Sequence, residues 1–180
     1  MQGRGRMYRA HWKTKNRKCE QEENKVIMKI KLDPGAYMPE RAHAEDAGLD
    51  LRAMEDQVIY PAPRNHRQTI GFFAGPDEGF AVFDTGVHAE LPRGYYGKVE
   101  SKSGLNVKHS IVSCGGVIDA GYTGSIRVKL YNLGSEPYRV SKGDKIAQLI
   151  IQPYISPELE LVDELAQTER GDNGFGSTGR

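Results

Sequence analysis

Short apolar or alternating runs, cut apart every few residues by Gly, Pro, Asn and Asp, constrain this chain more than any other feature. "QVIY", "FAVFDTGVHAEL", "YYGKVES", "SIRVKLYN" and "KIAQLII" are such runs, and their punctuation is that of a β protein. In "SIRVKLYN", Ile126, Val128 and Leu130 fall on one face while Arg127, Lys129 and Tyr131 fall on the other. That is the period-2 pattern of a strand with one buried side. Most of the 21 glycines and nine prolines lie in the gaps between runs. No long helix is evident. "ELELVDELA", Glu158 to Ala166, reads equally as a short helix or a strand, and "RNHRQTIGFFAGPDEG", Arg64 to Gly79, reads as a loop excursion from the sheet.

With 180 residues, the chain suffices for one domain with a sizeable core. It contains no apolar run near the ~20 residues of a membrane span and no apolar secretory leader. Residues 1–25 carry eight Lys or Arg against three Glu, a net of +5, which leaves −4 on residues 26–180. The first segment reads as a disordered basic arm or leader, with the folded domain expected over 26–180. A mildly acidic body argues against a duplex-binding surface. Cys19 and Cys114 lie in regions of different character and suggest no disulfide framework, so a reducing, cytoplasmic setting is expected.

Five segments carry chemistry: "AGLDLRA" from Ala47, "SKSGLNVKHSI" from Ser101, "GGVIDAGYTG" from Gly115, "GDKIAQLI" from Gly143 and the terminal "RGDNGFGSTGR" from Arg170. Singly, each of the first four reads as turns, loops or strand. The last has a P-loop's glycine spacing, but Ser177 stands in the lysine position and no helix can follow. Its glycines nevertheless let backbone N–H groups approach an anion. Phe175, in a tail with no other large apolar residue, offers a face for a base.

Together and in this order, the five segments resemble the trimeric all-β dUTPase family, over about Val26 to Arg180. The resemblance implies a jelly-roll-like antiparallel β-barrel, assembled as a homotrimer with active sites at subunit junctions, and a mobile Gly-rich C-terminal lid over residues 170–180. It implies hydrolysis of dUTP to dUMP and pyrophosphate, a reaction that limits uracil in DNA and supplies dUMP for thymidylate synthesis. Asp119 matches the catalytic residue that orients the attacking water, through placement in a closed site. Tyr122 matches the ring that packs on deoxyribose and excludes a 2′-hydroxyl.

The segment from Ser113 through Gly116, Val117 and Ile118, expected as a hairpin, matches the backbone that reads uracil. Cytosine would leave such groups unpaired, at roughly 1–3 kcal/mol each. Ser103 and Gly104 match contacts near the α,β bridge, and Gln148 a donor to the α-phosphate. Arg170, Gly176, Ser177 and Thr178 match the tail's phosphate contacts, and Phe175 the lid on uracil. Mg²⁺ is implied on the phosphates, with Asp50 holding it through a water.

Three residues depart from the family pattern. Where it reads Pro-Arg-Ser-Gly, this chain has Ser101 and Lys102 before Ser103; lysine keeps the charge but not the bidentate geometry. Where many relatives have Asn, it has Ser113. Two alternatives on the same fold are a dCTP deaminase, whose glutamate would sit near Lys129, and a non-catalytic nucleotide sensor. The strand at Lys129 holds no carboxylate, and retention of Asp119, Tyr122 and the tail disfavours a sensor.

Overall fold

The computed structural model describes residues 26–62, 79–114 and 116–172. In chain order they form β1 (Lys29–Leu32), β2 (Gly48–Arg52), β3 (Gln57–Ile59), β4 (Phe80–Asp84), β5 (Val87–Glu90), β6 (Tyr95–Ser101) and α1 (Ser103–His109). These are followed by β7 (Ile111–Ser113), β8 (Val117–Ile118), β9 (Arg127–Asn132), β10 (Tyr138–Val140) and β11 (Lys145–Pro153). All ladders are antiparallel. The larger sheets run β2-β11-β6-β8 and β4-β9-β7, with the pairs β1-β5 and β10-β3 beside them. Sequence-distant strands thus become neighbours, the antiparallel jelly-roll type of fold.

Alternation decides the core. Ile126, Val128 and Leu130 are buried, as the period-2 reading predicts, and they meet Phe83, Leu51, Ile59, Ile111, Val140, Ile146 and Leu149. Fully burying each such side chain is worth roughly 1.5–3 kcal/mol. Asn132 continues the buried face of β9 and is saturated: its amide donates to Ile59 O (2.9 Å) and Glu136 O (2.8 Å), and its Oδ1 accepts from Gly134 N–H (2.9 Å). Buried without those partners, it would cost about 1–3 kcal/mol.

Two readings resolve differently from the sequence. The stretch 158–166 is neither helix nor strand. It runs as an irregular arm with Leu159, Leu161 and Leu165 between 86% and 99% exposed. The Ser113–Ile118 segment is not a ladder-paired hairpin: β7 pairs with β9, whereas β8 pairs with β6, so the chain crosses from one sheet to the other. Its glycine pair signals a reversal, but long-range partners decide where the strands go. Most of the 64–79 excursion and the 1–25 arm lie outside the described residues. The excursion returns near its start, where Gly79 N–H donates to Tyr60 O (3.2 Å).

Candidate active site

The first concentration of charge is built on a strand irregularity. Gln148 of β11 lies directly opposite Asp50 of β2, and Lys145 lies opposite Arg52. Between Lys145 and Ala147 the register slips by one residue, and both Ile146 and Ala147 are buried. A bulge of this kind changes the side-chain parity. It therefore sets Lys145 and Gln148, three residues apart, on the same side as Asp50. In a regular strand they would face opposite ways.

Asp50 is 3% exposed. Lys102, just past β6, bonds its Oδ1, and Lys145 Nζ lies 2.6 Å from Oδ2. Oδ2 accepts no hydrogen bond of good geometry, so the contact with Lys145 is an ion pair. Burial alone would raise the Asp50 pKa, but the two ammonium groups outweigh it and hold the carboxyl below its usual value. The result is a desolvated carboxylate with two cations, carrying a net positive charge near Gln148.

Around this cluster the structure gathers several of the expected phosphate ligands. Gln148 Nε2 donates to Ser101 O (3.1 Å), leaving its second amide N–H for another acceptor. Ser103 and Gly104 open α1 and are exposed. No side chain caps this helix, and its first internal bond is Asn106 N–H to Lys102 O (3.0 Å). The Ser103 and Gly104 amides therefore precede the helical ladder. Ser110, in the left-handed conformation with φ 57°, closes the helix by donating to Asn106 O (2.9 Å).

The second concentration follows the crossover. Ser113, Cys114, Gly116 and Val117 line a cavity of about 330 Å³ with Lys98 and Glu100 of β6. Val99 N–H donates to Gly116 O (2.8 Å), so the crossing strand lies close on β6. Gly116 is required there: its φ is 124°, and a Cβ would meet Val99 Cβ at 2.6 Å. Ile118 is buried, while Asp119 follows on an exposed turn closed by Tyr122 N–H to Asp119 O (2.9 Å).

Tyr122 is 45% exposed, and its hydroxyl donates to Ser125 O (2.9 Å). Ser125 in turn bonds Asp84. A Cβ on Gly124 would meet the Tyr122 hydroxyl oxygen at 2.5 Å, so glycine makes room for this ring.

Within one chain the cationic cluster and the Asp119 turn stand apart. Ser113 touches Ser101, while Ile118 pairs with Gly97, four residues back along β6. At about 3.4 Å per residue the two levels are about 14 Å apart, and Asp119 lies beyond. Asp50, on β2, is at the other edge of the same four-stranded sheet from β8. Of the tail residues, Arg170 is described and exposed; Phe175, Gly176, Ser177 and Thr178 lie outside the described residues.

Sequence reasoning singled out Gln148 but missed Lys145 in the same segment. It noted Ser101 only as a departure from a pattern. Lys129, where a deaminase would need glutamate, has its ammonium 3.8 Å from the Phe80 ring centre and 4.8 Å from that of Tyr131.

An antiparallel β-barrel with a cationic cluster on one strand edge and a carboxylate-bearing turn after a backbone-lined cavity defines a class of nucleotide-handling β proteins. The dUTPase family pattern matches residues 35–179. A deoxyuridine 5′-triphosphate nucleotidohydrolase of Corynebacterium efficiens is 45% identical over 157 residues, 86% of this chain and 78% of the relative. A mutant dUTPase of Staphylococcus bacteriophage 80alpha with dUpNHpp superposes with a TM-score of 0.72 at 32% identity, over 86% of this chain and 99% of that one. A mutant dUTPase from phage phi11 of S. aureus, described with a structural Mg(II) ion, gives 0.64 at 30% identity, over 77% and 97%. The chain belongs to the dUTPase family.

Proposed function

We propose that this chain hydrolyses dUTP to dUMP and pyrophosphate by attack of water on the α-phosphorus. The observation that carries the reading is the cavity beside β6, lined by Ser113, Cys114, Gly116 and Val117, with Asp119 and Tyr122 on the turn directly after it. Backbone groups of that segment read the uracil edge. Tyr122 covers the sugar. Asp119, exposed at the turn, aims the water, and its contribution is mainly position.

Lys102, Lys145, Gln148 and the Ser103–Gly104 amides receive the triphosphate, where fixed positive charge facing developing negative charge lowers the barrier. Lys102 keeps a cation where the family pattern has arginine, but bonded to Asp50 it offers only its remaining donors. Arg170, Gly176, Ser177, Thr178 and Phe175 close over the nucleotide as a lid and reopen for release.

Magnesium would rest mostly on substrate oxygens. Among the described residues no three or more His, Cys, Asp or Glu side chains converge to hold a metal. Asp50 stays ionised, and with both its oxygens already on ammonium groups it would reach a metal-bound water rather than the ion itself. When bound, the ion supplies neutralisation of the phosphate charge.

The ~14 Å along β6 between the Ser101 level and the start of the Asp119 turn and the exposed apolar arm after β11 support a homotrimer in which chains complete one another's sites. Cys114, an exposed free thiol, suits a reducing cytoplasmic setting. Among the described residues no helix is long and apolar enough to cross a membrane.

Incubating the protein with dUTP, dCTP and UTP tests the reaction: pyrophosphate appears from dUTP alone. Ammonia from dCTP would replace the reading with deamination, and tight binding without turnover would replace it with a sensor.

A further inference from the structure

Ser101 ends β6 at the point where the two halves of the site touch. Its Oγ accepts the Ser113 N–H at 2.8 Å and lies 3.1 Å from Ser113 Oγ and 3.4 Å from Ser113 O. Its carbonyl takes the Gln148 amide at 3.1 Å. One residue thus fixes the first residue of the cavity-lining segment and one N–H of a phosphate-side amide. Ser113 lines the cavity as the last residue of β7, opposite Leu130 of β9, so the ladder holds its backbone while the contact with Ser101 Oγ holds its hydroxyl.

We propose that Ser101 is a positioning residue that sets discrimination of the base, acting through Ser113. This rests on the dUTP reading above. Having accepted the Ser113 N–H, the Ser101 hydroxyl still has its own proton to give. The nearer acceptor is Ser113 Oγ rather than the carbonyl. A hydroxyl that receives from Ser101 keeps its proton for the ligand.

Ser113 therefore meets the base as a donor, which suits the carbonyl oxygen at C4 of uracil and opposes the amino group of cytosine. Two of the three residues at which this chain departs from the family pattern, Ser101 and Ser113, are a single hydrogen-bonded device.

The test is steady-state kinetics on dUTP and dCTP for the wild type, Ser101→Ala, Ser101→Thr and Ser113→Ala, with a thermal melt of each variant. Ser101→Ala raises KM for dUTP and narrows the dUTP over dCTP preference in kcat/KM, each by roughly tenfold, with kcat little changed. Ser101→Thr, which keeps the hydroxyl, restores both. Ser113→Ala loses the same preference, and adding Ser101→Ala to it costs little more.

A Ser101→Ala enzyme with unchanged KM and preference overturns the proposal, as does one that loses only kcat with the preference intact. If Ser101→Ala does not fold, a Ser101→Thr or Ser113→Ala enzyme contradicting the pattern above does so instead. A wild type that fails to hydrolyse dUTP removes the underlying reading and this proposal with it.

Discussion

The two ends of the candidate site are built on opposite principles. At one, Asp50 is buried between two ammonium groups and fixed by strand register before any ligand arrives. At the other, Asp119 stands exposed on a four-residue turn. The difference follows from what each end handles. Receiving a polyanion requires fixed charge whose desolvation was met during folding. Aiming a water requires a carboxylate that becomes enclosed only when other surfaces arrive.

The sharpest way to break this contrast is Asp119→Ala. It should cut turnover by roughly 10²–10⁴-fold, with no more than a small change in Tm and with dUpNHpp still bound, as calorimetry and pyrophosphate-release kinetics would measure. A variant that keeps turnover removes Asp119 from its role.

Asp50→Ala should act in reverse, on the fold first. Two ammonium groups would face each other, at about 3 kcal/mol, the lower end of the range for breaking a buried pair because both lysines can turn toward water. Denaturant unfolding reads this directly. A loss below about 0.5 kcal/mol would place the pair among ordinary surface contacts.

Gly124→Ala sharpens the exposed end alone. The new methyl displaces the Tyr122 ring, and the preference for dUTP over UTP should fall roughly tenfold while stability barely moves.

The smallest effect concerns His88, whose Nδ1 meets Thr123 O at 2.8 Å and whose Nε2 meets Asp33 Oδ2 at 3.1 Å. Two acceptors favour the doubly protonated ring, so the Thr123 carbonyl first and Asp33 second raise its pKa, against burial and nearby Lys31. A raised folded pKa contributes stability that is complete below the unfolded value near 6.5 and fades as pH climbs through the folded one. The Tm gap between wild type and His88→Gln should accordingly shrink from acid to alkaline pH. A gap that widens would show His88 to be neutral at the turn.

Much of the framework was legible. Period-2 alternation placed Ile126, Val128 and Leu130 inside, because a strand has only two faces and one of them must be apolar. Asp50, Gln148 and Ser103 could be singled out only through the joint resemblance of five segments to a family, since each segment alone reads as turn, loop or strand. Lys145 could not be, because its direction depends on a bulge, and "KIAQLII" reads as one apolar run whether or not a residue is extra.

The crossover was misread for a related reason: "SCGGVI" reports a reversal, while the partners of its flanking strands lie on β9 and β6. The 158–166 stretch defeated periodicity because no described surface of its own chain covers Leu159 or Leu161, so neither helical nor strand spacing was selected by burial.

The slip at Ile146 turns the length of β11 into a matter of odd and even. Losing Ile146 alone would remove the extra residue and leave Lys145 and Gln148 two apart, still on one side of a now regular strand, whereas losing two residues would make them neighbours and turn one of them into the hydrocarbon interior. Among descendants of this chain, loss of the single extra residue should therefore be tolerated in that strand where loss of two is not.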